Sequence, residues 1–105
     1  MAGVYSSLFI ADRLPAGASS PYVTVPEGHV FVVRNVEVVF AGTASAFVAL
    51  VGEAFLDHVL RVYPIGSNPY GSWNGRVVFP AGQQFKVQAS GQLANVTVSG
   101  YDLLG

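Results

Sequence analysis

The stretch His29-Val-Phe-Val-Val-Arg-Asn-Val-Glu-Val-Val-Phe40, introduced by the corner Val25-Pro26-Glu27-Gly28, decides the fold class. Six of its twelve residues are valine and two are phenylalanine, the β-branched and aromatic types that suit a pleated strand. No apolar stripe recurs at helical spacing with polar faces beside it. Proline presets the backbone of a turn and glycine suits the residue after it, so the stretch starts at a tight corner. It reads as one long strand over residues 29–40, bent near Arg34 and Asn35. Unbroken alternation puts Val30, Val32, Val36, Val38 and Phe40 on one face and Phe31, Val33 and Val39 on the other. Both faces are apolar, so a core can cover only one of them. The other needs a loop, residues 1–21 or a second subunit.

Working outward, Phe85, Val87 and Ala89 alternate with Lys86, Gln88 and Ser90, while Val96 and Val98 alternate with Thr97 and Ser99. These are strands with one buried face and one polar face. Further strands are expected over residues 4–11, 22–25, 46–52, 55–63, 76–79 and 95–103, with 64–74 a loop rich in Gly, Pro, Ser and Asn. Residues 44–60 would tolerate a helix but read as strands. Pro15-Ala16-Gly17, Pro26-Glu27-Gly28 and Pro80-Ala81-Gly82 repeat a Pro-x-Gly signature, and the last two share flanking sequence. That likeness suits two related halves of a jelly roll; it also suits the general preference of β corners for these residues. The expected architecture is all-β: a single antiparallel, jelly-roll-like β-sandwich domain over residues 22–105, preceded over residues 1–21 by an extended N-terminal arm that comprises the first strand and a loop.

Composition narrows the function. At 105 residues the chain is one domain's worth. Only 10% of residues are charged, against about 25% in ordinary domains. The bases Arg13, Arg34, Arg61, Arg76 and Lys86 are scattered and form no stripe for nucleic acid. Mean hydropathy is +0.47. Even so, the uncharged stretch 38–52 is too short and too interrupted for a membrane helix of about 20 apolar residues. The N-terminus lacks a signal peptide's form. Covered apolar surface, through contact with neighbours, is the expectation that remains. Cysteine is absent, which removes disulfides and thiolate chemistry.

No motif for chemistry emerges, so neither catalytic residues nor a cofactor nor a metal is expected. The histidines are His29 and His58, and no serine lies in a Gly-x-Ser-x-Gly elbow. The metal-binding jelly rolls of the cupin family also use Pro-x-Gly corners, but their His-x-His, Glu and later His are missing. Glu27, Glu37, Glu53, Asp57 and Asp102 suggest no carboxylate pair for glycoside hydrolysis. Asn95-Val96-Thr97 matches a glycosylation acceptor inside an expected strand. One segment stands out: Tyr63, Tyr70 and Trp73 could form an aromatic platform, with Asn68, Asn74 and Arg76 supplying hydrogen bonds. Three readings stay open for it: Trp73 as a plug at the end of the sandwich, a protein interface, or a carbohydrate site.

The segment Trp73-x-Gly75-Arg76, Pro80-Ala81-Gly82 and Val98-Ser99-Gly100-Tyr101-x-Leu103 resembles a class of small tailed-bacteriophage proteins. The corner at Pro26 to Gly28, followed by an apolar strand carrying Arg34, is similar to their opening. The resemblance spans about residues 21–103. It implies a non-enzymatic β-sandwich subunit of the virion, assembled in the host cytoplasm and placed in the tail or on the capsid surface. Its partners would be copies of itself and other virion proteins, with no nucleic acid or membrane. An N-terminal arm could cross to a neighbour. The alternative from another class is a carbohydrate-binding module for host attachment, using Tyr70 and Trp73.

Overall fold

The computed structural model describes residues 3–42, 46–52, 57–64 and 68–104. Eight strands follow in chain order: β1 (Gly3–Leu14), β2 (Val23–Thr24), β3 (His29–Phe40), β4 (Phe47–Gly52), β5 (Asp57–Val62), β6 (Tyr70–Pro80), β7 (Gln84–Ser90) and β8 (Ala94–Leu104). No helix occurs among the described residues, so the strand reading of residues 44–60 stands where they are described. The expected strand start at Phe55 and the carboxylate Glu53 lie outside them.

Pairing runs antiparallel from the ends of the chain inward: β1 with β8, β2 with β7, β3 with β6 and β4 with β5. The chain is therefore one long hairpin, rolled until β8 also meets β3 and β7 also meets β4. Two four-stranded sheets result, ordered β1-β8-β3-β6 and β2-β7-β4-β5. This is a jelly roll. A twelve-residue strand is about 40 Å long, and the molecule measures 47 × 23 × 19 Å.

The shared Pro-x-Gly flanks acquire a structural reason. Residues 25–28 lead from one sheet to the other, and residues 80–83 lead back beside them. Val25 N–H donates to Gln83 O at 2.9 Å, and Gly82 N–H donates to Val25 O at 2.9 Å. Gly28 and Gly82 hold φ of +82° and +86°, which only glycine adopts freely. The two corners form one hydrogen-bonded double corner, as paired positions in a rolled hairpin should. At the opposite end of the barrel-like roll, the chain between β1 and β2 clings to β7. Gly17 N–H donates to Ala89 O, and Ser20 N–H donates to Val87 O. Pro21 has no N–H for this edge; the buried Ser20 Oγ accepts from Val87 N–H at 3.1 Å and donates to Pro21 O.

The core lies between the sheets. Phe85, Val87 and Ala89 are fully buried, as their alternation requires, and so are Val96 and Val98. Phe85 stacks on Phe79 with ring centroids 4.5 Å apart and meets Phe31 and Phe9 edge-on.

Three expectations change. First, Arg34 is an extra residue in β3: Val33 pairs with Gly100 and Asn35 with Ser99. A one-residue bulge reverses which side chains face inward. Phe31 and Val33 thus share the core face with Val36, Val38 and Phe40, while Val30, Val32 and Val39 lie outside. Most of the grease expected on two faces is therefore covered by the second sheet. Val32 is buried even so, yet Val39 stays 50% exposed.

Second, the expected N-terminal arm is built into the domain: β1 pairs with β8 along its whole length. Because β8 separates β1 from β3, β1 does not cover the outer face of β3. Third, the loop expected over residues 64–74 ends early, since β6 already begins at Tyr70.

Candidate functional site

The residues expected to form an aromatic platform are divided among three surroundings. Tyr63 follows β5 in the β2-β7-β4-β5 sheet, with its ring 5.7 Å from Phe47, over which the Arg61 guanidinium lies at 4.8 Å. Tyr70, Asn74 and Arg76 occupy alternate, exposed positions of β6 and face outward from the other sheet. Trp73 has the opposite parity. It points inward, half-buried against the core, and its indole covers Gly75 where any Cβ would collide with it. Tyr70 and Trp73 thus lie on opposite faces of β6 and form no joint platform. Trp73 seals the side of the sandwich under its edge strand, which places the plug along the side and not at the end. Asn68 is exposed just before β6.

A different site appears on the outer face of the β1-β8-β3-β6 sheet. Three strands carry irregularities at one level. In β1, Leu8 pairs with Ser99 and Ile10 with Val98, leaving Phe9 extra. In β3 the extra residue is Arg34. In β6, Gly75 and Arg76 together oppose Arg34, because Val33 pairs with Val77 and Asn35 with Asn74. Bulges bend strands and re-aim side chains. Aligned across a sheet, they crease it.

The bulges of β1 and β3 each have a structural partner. Phe9 is turned toward the core and stacks on Phe31 at 4.6 Å. Gly100 lies against the β3 bulge so closely that a Cβ there would fall on Val32 O and stand 2.9 Å from Arg34 N.

Above the crease is an open cleft of about 480 Å³, lined by Ser7, Leu8, Arg34, Asn35, Asn74, Ser99, Gly100 and Tyr101. Arg34 and Asn74 are exposed, and Tyr101 is 41% exposed. None of the lining residues is acidic. Arg34 forms no ion pair among the described residues, and Arg76 follows Asn74 on the same outward face of β6. Of the residues singled out from sequence, Asn74 reaches this cleft. Its other polar members went unrecognised, although Arg34-Asn35 is a visible polar interruption in a valine strand. The short motifs behind the bacteriophage resemblance converge here too: Trp73-x-Gly75-Arg76 and Ser99-Gly100-Tyr101 flank the bulge of β3 from its two sides.

Another polar pair is His29 with Asp102, whose Nδ1 and Oδ1 are 2.7 Å apart. A carboxylate that orients a histidine supplies two parts of a hydrolytic triad. No hydroxyl is hydrogen-bonded to His29 among the described residues, and the pair ties the start of β3 to the end of β8. His58 lies in β5. No group of three or more His, Asp or Glu side chains placed to hold a metal occurs among the described residues.

In comparisons with known proteins, no family model matches the chain, no curated protein matches it and no solved structure matches it.

Proposed function

We propose that this chain is a non-enzymatic structural subunit of a bacteriophage particle, a small accessory component of the tail or the head surface that works as a homo-oligomer. Jelly rolls build viral capsid proteins, lectins and cupins alike, so architecture by itself does not choose among these. The observation that carries the reading is the unguarded edge at β1.

Exposed sheet edges invite another strand, and proteins protect them with charge, proline, bulges or shortness. β2 has two residues and lies between Pro21 and Pro26. β5 includes Asp57 and Arg61, and β6 includes Arg76 and closes on Pro80. β1 runs for twelve residues, and its first nine, Gly-Val-Tyr-Ser-Ser-Leu-Phe-Ile-Ala, contain no charge and no proline. Its bulge at Phe9 is the sole device of this kind before Asp12. A two-fold axis would set β1 against β1 of a second copy, antiparallel, and join two four-stranded sheets into one of eight. The outward Val39, Tyr70 and Val78 extend the sticky surface over the same sheet.

A phage particle that encodes this chain is therefore expected to contain it in fixed, repeated copy number. Quantitative mass spectrometry of purified particles checks this. Its absence from particles, with abundant free protein in the infected cell, would remove the reading. The sugar-binding alternative built on Tyr70 and Trp73 is not carried forward, because the two rings face opposite ways.

A further inference from the structure

We infer that the crease cleft on the β1-β8-β3-β6 sheet is a binding site for a carboxylated sugar, a hexuronate or a sugar acid of similar shape. The inference goes beyond the virion reading and stands independently of it.

The first ground is charge. Arg34 opens into the cleft without an acidic partner, and no lining residue is acidic. An unpaired guanidinium presents a planar fork of donors that matches a carboxylate. A second guanidinium, that of Arg76, follows on the same face of the adjoining strand. The ligand should therefore be an anion.

The second ground is the remaining lining. Asn35 and Asn74 each offer an amide oxygen and an NH₂, while Ser99 and Ser7 offer hydroxyls. Side chains that both donate and accept suit a molecule covered in hydroxyl groups. Tyr101 and Leu8, exposed at the rim, present apolar surface for the C–H face of a pyranose ring.

The third ground sets aside two rival ligands. A peptide that binds by adding a strand would pair along the free edge of β1, whereas the floor of the cleft is β8 and β3, interior strands paired on both sides. Nucleic acid requires a row of cations along its phosphates, whereas the chain has five basic residues in all and a formal net charge of −1. The bulges supply the reason for the site's existence. A regular strand would alternate Arg34 and Asn35 to opposite faces; the extra residue in β3 brings both to one cleft.

The test uses the full chain, labelled with ¹⁵N, titrated in turn with glucuronic acid, glucose and acetate. Glucose shares the ring without the carboxylate, and acetate shares the carboxylate without the ring. Glucuronate is expected to shift the Arg34, Asn35, Asn74, Ser99 and Gly100 resonances and to saturate near about 1 mM, as befits a single sugar. Glucose and acetate should each bind about tenfold more weakly or worse. Arg34→Gln should weaken glucuronate roughly ten- to hundredfold, with the rest of the spectrum unchanged. Asn74→Ala should weaken it less. Shifts absent from the cleft, equal binding of glucose and glucuronate, equal binding of acetate and glucuronate, or full affinity in Arg34→Gln would each overturn the assignment.

Discussion

Gly100→Ala is expected to destabilise the fold by about 3 kcal/mol or more, beyond the usual range for one added methyl. The new Cβ would meet Val32 O and Arg34 N, both backbone atoms of the bulged stretch of β3. Backbone cannot swing aside as a flexible side chain can. Relief requires β8 to shift against β3, and those strands are paired at positions from His29 to Phe40. For a domain near 100 residues each kcal/mol is worth about 4–8 °C, so the melting temperature should fall by at least about 10 °C. Gly82→Ala is the informative control. It meets no atom within 4 Å but sits at φ +86°, and such a conformation costs an L-residue about 1–2 kcal/mol. Thermal unfolding followed by circular dichroism compares the two. If Gly100→Ala melts with the wild type, β8 does not press on the β3 bulge and the crease is misplaced.

Phe85→Ala is expected to cost about 3–5 kcal/mol, a large share of the roughly 5–15 kcal/mol that keeps a domain folded. Phe85 is fully buried, and it stands where four strands converge. Phe9 of β1, Phe31 of β3 and Phe79 of β6 all contact its ring. Truncation removes buried apolar area and leaves a cavity that several rings, locked by one another, cannot collapse to fill. In urea the midpoint should drop with the slope unchanged, since the surface exposed on unfolding is nearly the same. A loss below about 1 kcal/mol would mean that the two sheets do not meet around this ring.

Much of this architecture could be read from residue types alone. The valines and phenylalanines of β3 mark a strand whose ends, His29 and Phe40, agree with the structure. In β7 and β8 the alternation of Phe85, Val87, Ala89, Val96 and Val98 gives the buried face directly. β6 was harder to see because Tyr70-Gly-Ser-Trp-Asn-Gly-Arg76 has a loop's composition. Its period of two is real, but two inward positions are glycines that close neighbours crowd, one across to the other sheet and one within the strand itself. Gly71 lies under Tyr63 O, and Gly75 lies under the Trp73 indole. A glycine inside a strand marks such close approach, yet in sequence it is indistinguishable from a turn.

The cleft was hidden for another reason. A bulge adds one residue with no signature of its own, and alternation carried straight through Arg34 assigns Val36, Val38 and Phe40 to the wrong face. What betrays it is the pair Arg34-Asn35, two polar residues in succession inside an otherwise valine-rich strand. The edge role of β1 was equally illegible. Which strand ends up unpaired depends on the order in which the hairpin rolls, a property of the whole chain.

Self-association through β1 is most directly tested by light scattering on the full chain beside Ser6→Lys, a substitution that plants a charge midway along that edge. The wild type should have a mass that is a multiple of 11.0 kDa, and Ser6→Lys should shift toward the single-chain mass while keeping its β-sheet spectrum. A wild type that stays at 11.0 kDa up to its solubility limit would contradict the account.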